Sequence, residues 1–393
     1  MEETAGIGHT TSVTSRLFRG EVRLGIIQGG QLGRMLLQPC MNFGITPYVM
    51  DKDPSAPCRE FCEHFFRGDA RSREDVYEFG KRLDMLTLEY EDVNLEALVQ
   101  LEKDGVRVHP SPAVIKTIQD KGLQKTFFHE NGIPTSEFVL LNTADELSRH
   151  KSFLPAYQKL RKSGYDGKGV KKLVSDADLK NGFDEPSLLE RSVPIEKEIA
   201  VIVARNVSGR METFPVVEMV FHPGANMLDY LFAPAELDDA VRDRAVRTAR
   251  TIARQMEVVG ILAVEMFVTP RAEVLVNELA PRPHNSGHHT IEANMTSQFE
   301  QHLRAILDLP LGSPDMRSPA VMVNLIGADG AAGPVRYDGL EEVLARPGVY
   351  IHRYGKKICR PFRKMGHVTV INDDIGEAKR IAAEVKQTVR VGV

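Results

Sequence analysis

Two glutamates, Glu265 and Glu278, stand thirteen residues apart in V-E-M-F-V-T-P-R-A-E-V-L-V-N-E-L-A-P-R-P-H-N-S-G-H (264–288). Met266–Val268 and Val274–Val276 are short apolar runs of the kind that pair as strands, and Thr269-Pro270-Arg271 between them is turn chemistry. A hairpin folded there puts one carboxylate at each outer end, side by side. Adjacent acids raise each other's pKa unless a cation lies between them. A hard divalent ion such as Mg2+ is held by one or two carboxylates together with phosphates and water. Asn277 offers a further oxygen. Two solvated acids on a surface hairpin are the ordinary alternative, and the polar run Arg282, His284, Asn285, Ser286 and His288 weighs against it. H-x-x-x-H at His284 and His288 makes no zinc site, because no third ligand is evident and the nearby acids suit a harder ion.

Other chemistry-bearing residues fall at element ends. Lys121 and Lys125, four apart, lie on one face of a helix expected over 113–130; a solvated face is their ordinary reading. Lys159 closes a strand, Ala156–Lys159, that enters Ser163-Gly-Tyr-Asp-Gly-Lys-Gly169, a glycine loop able to close over phosphates although it lacks the P-loop pattern. A plain turn is its alternative. Glu190 ends the strand Ser187–Arg191 and Glu198 opens the next, Ile199–Ala204, so both are candidates for the amine and ribose hydroxyls of a nucleotide. Five cations crowd between Lys356 and Lys364, a grip for a phosphate-bearing ligand.

The elements behind these residues begin with a βαβ start: strand Leu24–Ile27, turn Gln28–Gly33, a helix through Met41, then strand Ile45–Met50 closed by Asp51. Its glycine turn favours an anion at the helix N-terminus, but the spacing is wrong for a dinucleotide fingerprint. Strands Leu83–Leu88 and Val106–Val108 extend the same sheet up to Pro110-Ser-Pro112. Helices are expected over Asp238–Met256, Ser297–Leu307 and Gly376–Val389. At 393 residues the chain calls for two or three domains, and 42% hydrophobic content supplies their cores. A net charge of −4 gives no field for nucleic acid, and no run is long and apolar enough for a membrane span. Met1–Gly20 is polar and carries no secretory core. Cys40, Cys58, Cys62 and Cys359 suit a reduced cytoplasm as free buried thiols; Cys58 and Cys62 have no second pair with which to complete a zinc site.

Taken in order, G-G-Q-L-G-R-M (29–35), G-Y-D-G-K-G (164–169), N-E-L-A-P-R-P-H-N-S-G-H (277–288) and Y-G-K…R-P-x-R-K-M-G-H (354–367) resemble the ATP-grasp enzymes. Within that family they are most similar to the branch of 5-(carboxyamino)imidazole ribonucleotide synthetases of purine biosynthesis. The resemblance runs from about residue 22 to the end. It implies an α/β and α+β fold of three domains: an N-terminal parallel-sheet domain over 21–120, a small lid over 121–194, and a larger domain with a mixed sheet over 195–393; residues 1–20 fall outside it and read as a disordered extension. It implies ATP and Mg2+ as cofactors, aminoimidazole ribonucleotide and bicarbonate as substrates, and a homodimer without nucleic-acid or membrane partners.

Residue by residue, the resemblance puts Lys121 and Lys159 on ATP phosphates, and Glu190, Val193, Glu198 and Asn277 around the nucleotide. Glu265 and Glu278 become the metal ligands. Tyr165, Lys168, Asn285, Ser286, Arg363 and, at a strand end, Glu89 face the ribonucleotide. Asp166, Arg282 and Lys356 form the catalytic set: Asp166 for the substrate amine, Arg282 near the transferring phosphate, and Lys356 on the ribonucleotide phosphate with Arg363. Two departures stand out: Gln28 where the family commonly has a third glycine, and Phe362 in place of the glycine of R-P-G-R-K. Other ATP-grasp ligases, such as a phosphoribosylglycinamide transformylase or a biotin carboxylase, would share the hairpin but not the Lys356–Lys364 cluster in this form. A nicotinamide-dependent oxidoreductase built on the first domain is the reading from another class.

Overall fold

The computed structural model describes residues 16–17, 19–162, 169–221 and 228–393. The apolar runs L-G-I-I and M-L-T-L are buried along their whole length, as strands covered on both faces must be. They are β1 (Leu24–Ile27) and β4 (Met85–Leu88) of an all-parallel sheet with β2 (Tyr48–Asp51), β3 (His64–Arg67) and β5 (Arg107–Val108), in the order β3-β2-β1-β4-β5. The order reverses between β1 and β4, so a crevice opens at the carboxyl ends of those strands. Arg16 reaches Asp84 at 3.0 Å and Leu17 is buried in this domain's core. The packed fold therefore begins before the boundary expected at residue 21.

A small antiparallel sheet follows, β6 (Phe138–Leu141), β7 (Ala156–Leu160), β8 (Val170–Leu173) and β9 (Ser187–Arg191), in the order β6-β9-β7-β8. It has a core of its own around Leu141, Leu147, Ala156, Leu173 and Leu189.

The remaining strands are β10 (Lys197–Arg205), β11 (Met211–Thr213), β12 (Val217–Phe221), β13 (Leu228–Ala233), β14 (Gly260–Val268), β15 (Val274–Ala280), β16 (Ala320–Ile326), β17 (Gly333–Pro334), β18 (Arg336–Asp338), β19 (Val349–Arg353), β20 (Ile358–Cys359), β21 (Lys364–Ile371) and β22 (Arg390–Gly392). Among the described residues, nine of these form one sheet, β15-β14-β10-β12-β13-β16-β21-β19 with β11 on β10; β17 pairs with β20 and β18 with β22. The named strands of that sheet pair antiparallel, and a parallel bridge from Thr135 to Val276 on β15 makes its edge mixed. The amphipathic helix Asp239–Gln255 and the segment 112–133 cover one face, around Ile199, Val201, Leu262, Val264 and Val276. The helix Gln298–Ile306 joins this sheet to the first domain. Its buried His302 accepts from the Ile261 amide at 3.2 Å and meets Thr87 Oγ1 of β4 at 2.8 Å.

Two local expectations are corrected. The helix expected over 113–130 is two helices, Pro112–Gln119 and Lys121–Glu130, because Asp120 adopts extended backbone (φ −121°, ψ 106°) and caps the second by accepting from the amides of Gly122 and Leu123. The strands flanking the hairpin are longer than their apolar runs, and the connection is the five residues Thr269–Glu273, closed by Thr269 N donating to Glu273 O at 3.0 Å. Glu265 and Glu278 therefore sit inside the strands rather than at their outer ends. Gln28 (φ 72°) and Phe362 (φ 60°) both occupy left-handed backbone, which explains why glycine suits those two positions.

Candidate active site

Glu265 and Glu278 are direct cross-strand partners on β14 and β15. The register shifts immediately beyond them, where Met266 pairs with Val276 and leaves Asn277 as the extra residue of a bulge. A bulge re-aims a side chain that strict alternation would turn away, and Asn277 and Glu278 line one recess together. Ala200 on β10 pairs with Glu265, so Glu198, two residues before it, stands on the same face as the two acids.

Burial pushes the Glu265 carboxyl up to about 7, with Glu278 and Glu198 adding to the rise, while Lys364 and Lys121 work against it. Burial likewise raises Glu198 to about 7 against the pull of Lys159. For Glu278 the same burial is outweighed by Lys121, whose ammonium donates to Oε1, so this carboxyl lies below its usual range. His284 Nε2 stands 3.4 Å from Glu265 Oε1, but burial holds its pKa far below the ordinary value, and the ring is neutral. Three carboxylates thus share one ammonium in contact. An oxygen-rich, under-neutralised donor set of this kind fits a hard divalent cation on Glu265 and Glu278, with the remaining positions left to phosphate oxygens and water. Among the described residues there is no group of three or more His, Cys, Asp or Glu that could hold a metal ion by itself.

Lys121 opens the helix that Asp120 caps, and Arg161 clamps Asp120 through two bonds of 2.8 and 2.7 Å. One turn further on, Lys125 is buried, contrary to the solvated face expected for it. Its ammonium lies 2.5 Å from Glu190 Oε1, and Lys159 on β7 lies 2.5 Å from Glu190 Oε2. Burial would raise Glu190, but Lys159 and Lys125 prevail and hold it at about 2. Lys159 also reaches Asn277 Oδ1 at 3.4 Å, which ties the small sheet to the bulge. Lys121, Gln124, Lys125, Lys159, Asn277 and Glu278 line one recess. Val193 lies in the connection from β9 to β10, just after Ser192, whose amide donates to Pro155 O at 2.9 Å.

Arg282 is buried and forms a bidentate pair with Glu91, at 2.6 and 3.3 Å, with Tyr90 beneath its guanidinium at 5.2 Å. Asn285 exchanges two amide bonds with Asn324 of β16, at 3.1 and 3.2 Å. The Gln298 side chain accepts from the His284 amide (2.9 Å) and donates to its carbonyl (2.7 Å), bracing the loop that carries Asn285 and the fully buried Ser286.

Glu89, at the end of β4, fills the helix N-terminus that the glycine turn presents. It accepts from the Leu32 amide at 3.2 Å, and a Cβ at Gly30 would run into its carboxylate. The anion expected at that turn is the protein's own. Burial raises Glu89, opposed by the amides of Gly33, Leu32 and Gly30 and by Lys356.

The C-terminal cations dock on the same domain. Lys357 pairs with Glu60 at 2.9 Å, Gly355 packs against Arg34, and Asp53 feels Arg363 and Arg360. Lys356 donates to Lys364 O at 2.7 Å, and Arg363 to Ile358 O at 2.9 Å. Electrostatic neighbours run from Glu278 to Arg282, from Arg282 to Glu89 and from Glu89 to Lys356, a relay of charges that links the acidic hairpin to the C-terminal cations.

Tyr165, Asp166 and Lys168 lie outside the described residues. His288 packs between Phe299 and His367, and all four cysteines are free and buried. Sequence reasoning missed Glu91, Tyr90, Arg34, Asn324 and Gln298. Arg34 stands inside the G-G-Q-L-G-R-M motif, and Tyr90 and Glu91 directly follow the strand end that carries Glu89.

Comparison with known proteins matches residues 22–119 to the ribonucleotide synthetase preATP-grasp domain, 126–299 to the ATP-grasp domain, and 320–381 to the phosphoribosylaminoimidazole carboxylase C-terminal domain. The N5-carboxyaminoimidazole ribonucleotide synthase of Synechococcus elongatus is 38% identical over 356 residues, 88% of this chain and 89% of that protein. The chain belongs to the N5-carboxyaminoimidazole ribonucleotide synthase family of ATP-grasp proteins. The family's crystal structure from Thermotoga maritima superposes with a TM-score of 0.88 at 41% identity, covering 94% of this chain and 99% of that one. The synthase from Aspergillus clavatus, solved with ADP and 5-aminoimidazole ribonucleotide, gives 0.85 at 32% identity, covering 93% and 98%. Some relatives are longer. The chain spans 65% of the chloroplastic phosphoribosylaminoimidazole carboxylase of Vigna aconitifolia, which is 36% identical over 90% of this chain. Within the synthase family fold, Glu89 closes the turn that a nicotinamide-dependent oxidoreductase would need for a dinucleotide phosphate.

Proposed function

We propose that this protein carboxylates the exocyclic amine of 5-aminoimidazole ribonucleotide, consuming ATP and bicarbonate and yielding 5-(carboxyamino)imidazole ribonucleotide, ADP and phosphate. One observation carries the reading. The acid pair stands beside a lysine-lined recess, and charges at Arg282 and Glu89 lead from it to the C-terminal cations.

Bicarbonate is a poor electrophile, so its oxygen first attacks the γ-phosphoryl group of ATP, breaking the bond to ADP and giving carboxyphosphate. Such a transfer rests on positioning and on neutralising the phosphoryl oxygens. Lys121 and Lys159 supply positive charge to those oxygens, and Arg282, held flat against Glu91, stands ready for the transferring group. Glu265 and Glu278, with Asn277 beside them, would hold Mg2+, which supplies Lewis-acid charge stabilisation when bound. Glu190, Val193 and Glu198 form the nucleotide's side of the cleft.

The substrate amine then attacks the carboxyl carbon, or CO2 released from it, and phosphate departs. Asp166 takes or orients the amine proton, with Tyr165 and Lys168 beside it; these three rest on the motif. Glu89, Asn285 and Ser286 orient the ribonucleotide, and Lys356 and Arg363 grip its phosphate. Among the described residues no helix is long and apolar enough to cross a membrane. Free buried thiols support a cytoplasmic location, and the resemblance supports a homodimer, which light scattering checks.

The deciding assay follows ADP formation with ribonucleotide and bicarbonate each omitted in turn. Turnover stimulated by both is expected. Stimulation by formate with glycinamide ribonucleotide, or by biotin, would replace this reading with another ATP-grasp ligase.

A further inference from the structure

Lys125 is the most deeply buried ammonium of the cleft, and the mechanism above does not use it. Its side chain is 4% exposed against 19% for Lys159, although both contact the same carboxylate. Its three N–H groups are all engaged: Thr135 Oγ1 at 2.5 Å, Ser136 Oγ at 3.3 Å and Glu190 Oε1 at 2.5 Å. An ammonium has only three donors, so Lys125 has none left for a phosphate. Thr135 in turn donates to Val276 O at 2.7 Å, beside Asn277 and Glu278. Lys125 thus pins the helix Lys121–Glu130, the strand β9 and the edge of the acidic hairpin to one point.

Lys159 is held differently. Its ammonium lies 2.5 Å from Glu190 Oε2, yet that oxygen has no aligned hydrogen-bond donor. The other contact of Lys159, to Asn277, is a long one at 3.4 Å. Glu190 therefore has one cation whose three donors are all spent, with Ser136 donating to the same oxygen, and a second, more exposed cation that also lines the recess.

We infer that Lys125 is a positioning residue: it holds Glu190 as an anion permanently, so that Lys159 can leave Glu190 for the nucleotide phosphates without stranding a buried carboxylate. The inference rests on the reading of Lys159 as a phosphate ligand given above. Without Lys125, the buried Glu190 would keep Lys159 for itself, because a lone buried charge costs several kcal/mol.

The test uses Lys125→Met, Glu190→Gln and their combination in the full chain, with Kd for ATP and for adenosine from calorimetry and Tm from melting. Lys125→Met leaves a neutral Glu190–Lys159 pair and folds. Its ATP affinity is expected to fall about tenfold or more while adenosine binding stays within about threefold of wild type. Glu190→Gln alone strands two buried ammoniums and shows the lowest Tm. Adding Lys125→Met to it raises the Tm and returns the ratio of ATP to adenosine affinity to within about threefold of wild type, a non-additive cycle.

Equal losses for ATP and adenosine in Lys125→Met, additive Tm changes, or no recovery of the ATP-to-adenosine ratio in the double variant overturn the inference. Failure of wild type to bind ATP overturns it as well. ATP binding without ribonucleotide turnover sinks only the functional reading and leaves these arms decisive.

Discussion

On either side of Lys121 lie two clusters with opposite surpluses of charge. On the hairpin side Glu198, Glu265 and Glu278 have one ammonium in contact and a neutral His284, and two of the three carboxyls rise to about 7. On the lid side Glu190 alone meets Lys125 and Lys159 and is held at about 2. Residue type is alike in the two places; partners and exposure differ, Glu190 being buried while Glu278 is about half exposed. An acid surplus suits a divalent cation and a cation surplus suits phosphates, which supports the metal–nucleotide reading proposed above.

The largest effect expected on this comparison comes from Glu278→Gln. Losing one preorganised charge stabiliser costs about 3 kcal/mol, roughly a hundredfold in turnover. ADP release should fall at least that far while Tm stays close to wild type. Retained turnover would mean that the acid side does not hold the metal.

Next comes the stability of the nucleotide-free protein against pH. An acid raised from its unfolded value to about 7 stabilises the fold below the unfolded pKa relative to high pH, and that contribution is lost as pH rises through 7. Glu265→Gln should therefore match wild type at pH 5 and exceed it by about 2 kcal/mol at pH 8 in urea titrations with chelator. Glu190 has the opposite sign, since its depressed pKa stabilises above the unfolded value and the benefit goes as pH falls toward 2. The buried histidines His302, at about 3, and His109 and His289, at about 4, act in the same sense as Glu190, stabilising as pH rises to 6.5. The difference between variant and wild type is thus the informative quantity. A gap that narrows toward pH 8 would contradict the acid surplus.

A smaller loss is expected from Arg161→Met. Arg161 steadies Asp120, the cap of the helix that carries Lys121 into one cluster and Lys125 into the other. A weakened cap costs about 1–2 kcal/mol, and both clusters should suffer, visible as a lower Tm with weaker ATP binding. Loss on one side alone would uncouple them. The smallest effect is that of Phe362→Gly, which relaxes left-handed backbone on an exposed side chain and should add about 0.5 kcal/mol net of glycine's greater unfolded freedom.

Much of this was legible in the chain. The strands at Leu24, Ser187 and Ile199, the long helix before Met256 and the acidic hairpin follow from apolar runs and turn residues, which are local signals. What escaped depended on contacts distant in sequence. Asp120 breaks a helix because Arg161 waits for it. Lys125 is buried because Glu190, on another sheet, receives it. Glu91 meets Arg282 across nearly two hundred residues. The bulge at Asn277 was hidden because two adjacent polar residues do not reveal which way alternation slips. The quoted motifs located the site better than periodicity did, since they preserve exceptions to it.

The docking of Gly355–Lys357 onto Arg34, Glu60 and Glu89 has a temporal side. During synthesis the first domain emerges early and can close its own sheet, with Glu89 already seated on backbone amides. The lysines that complete its neighbourhood are made only after the small sheet and most of the large one. The phosphate grip proposed above therefore forms only once residues 354–364 have folded back onto the first domain.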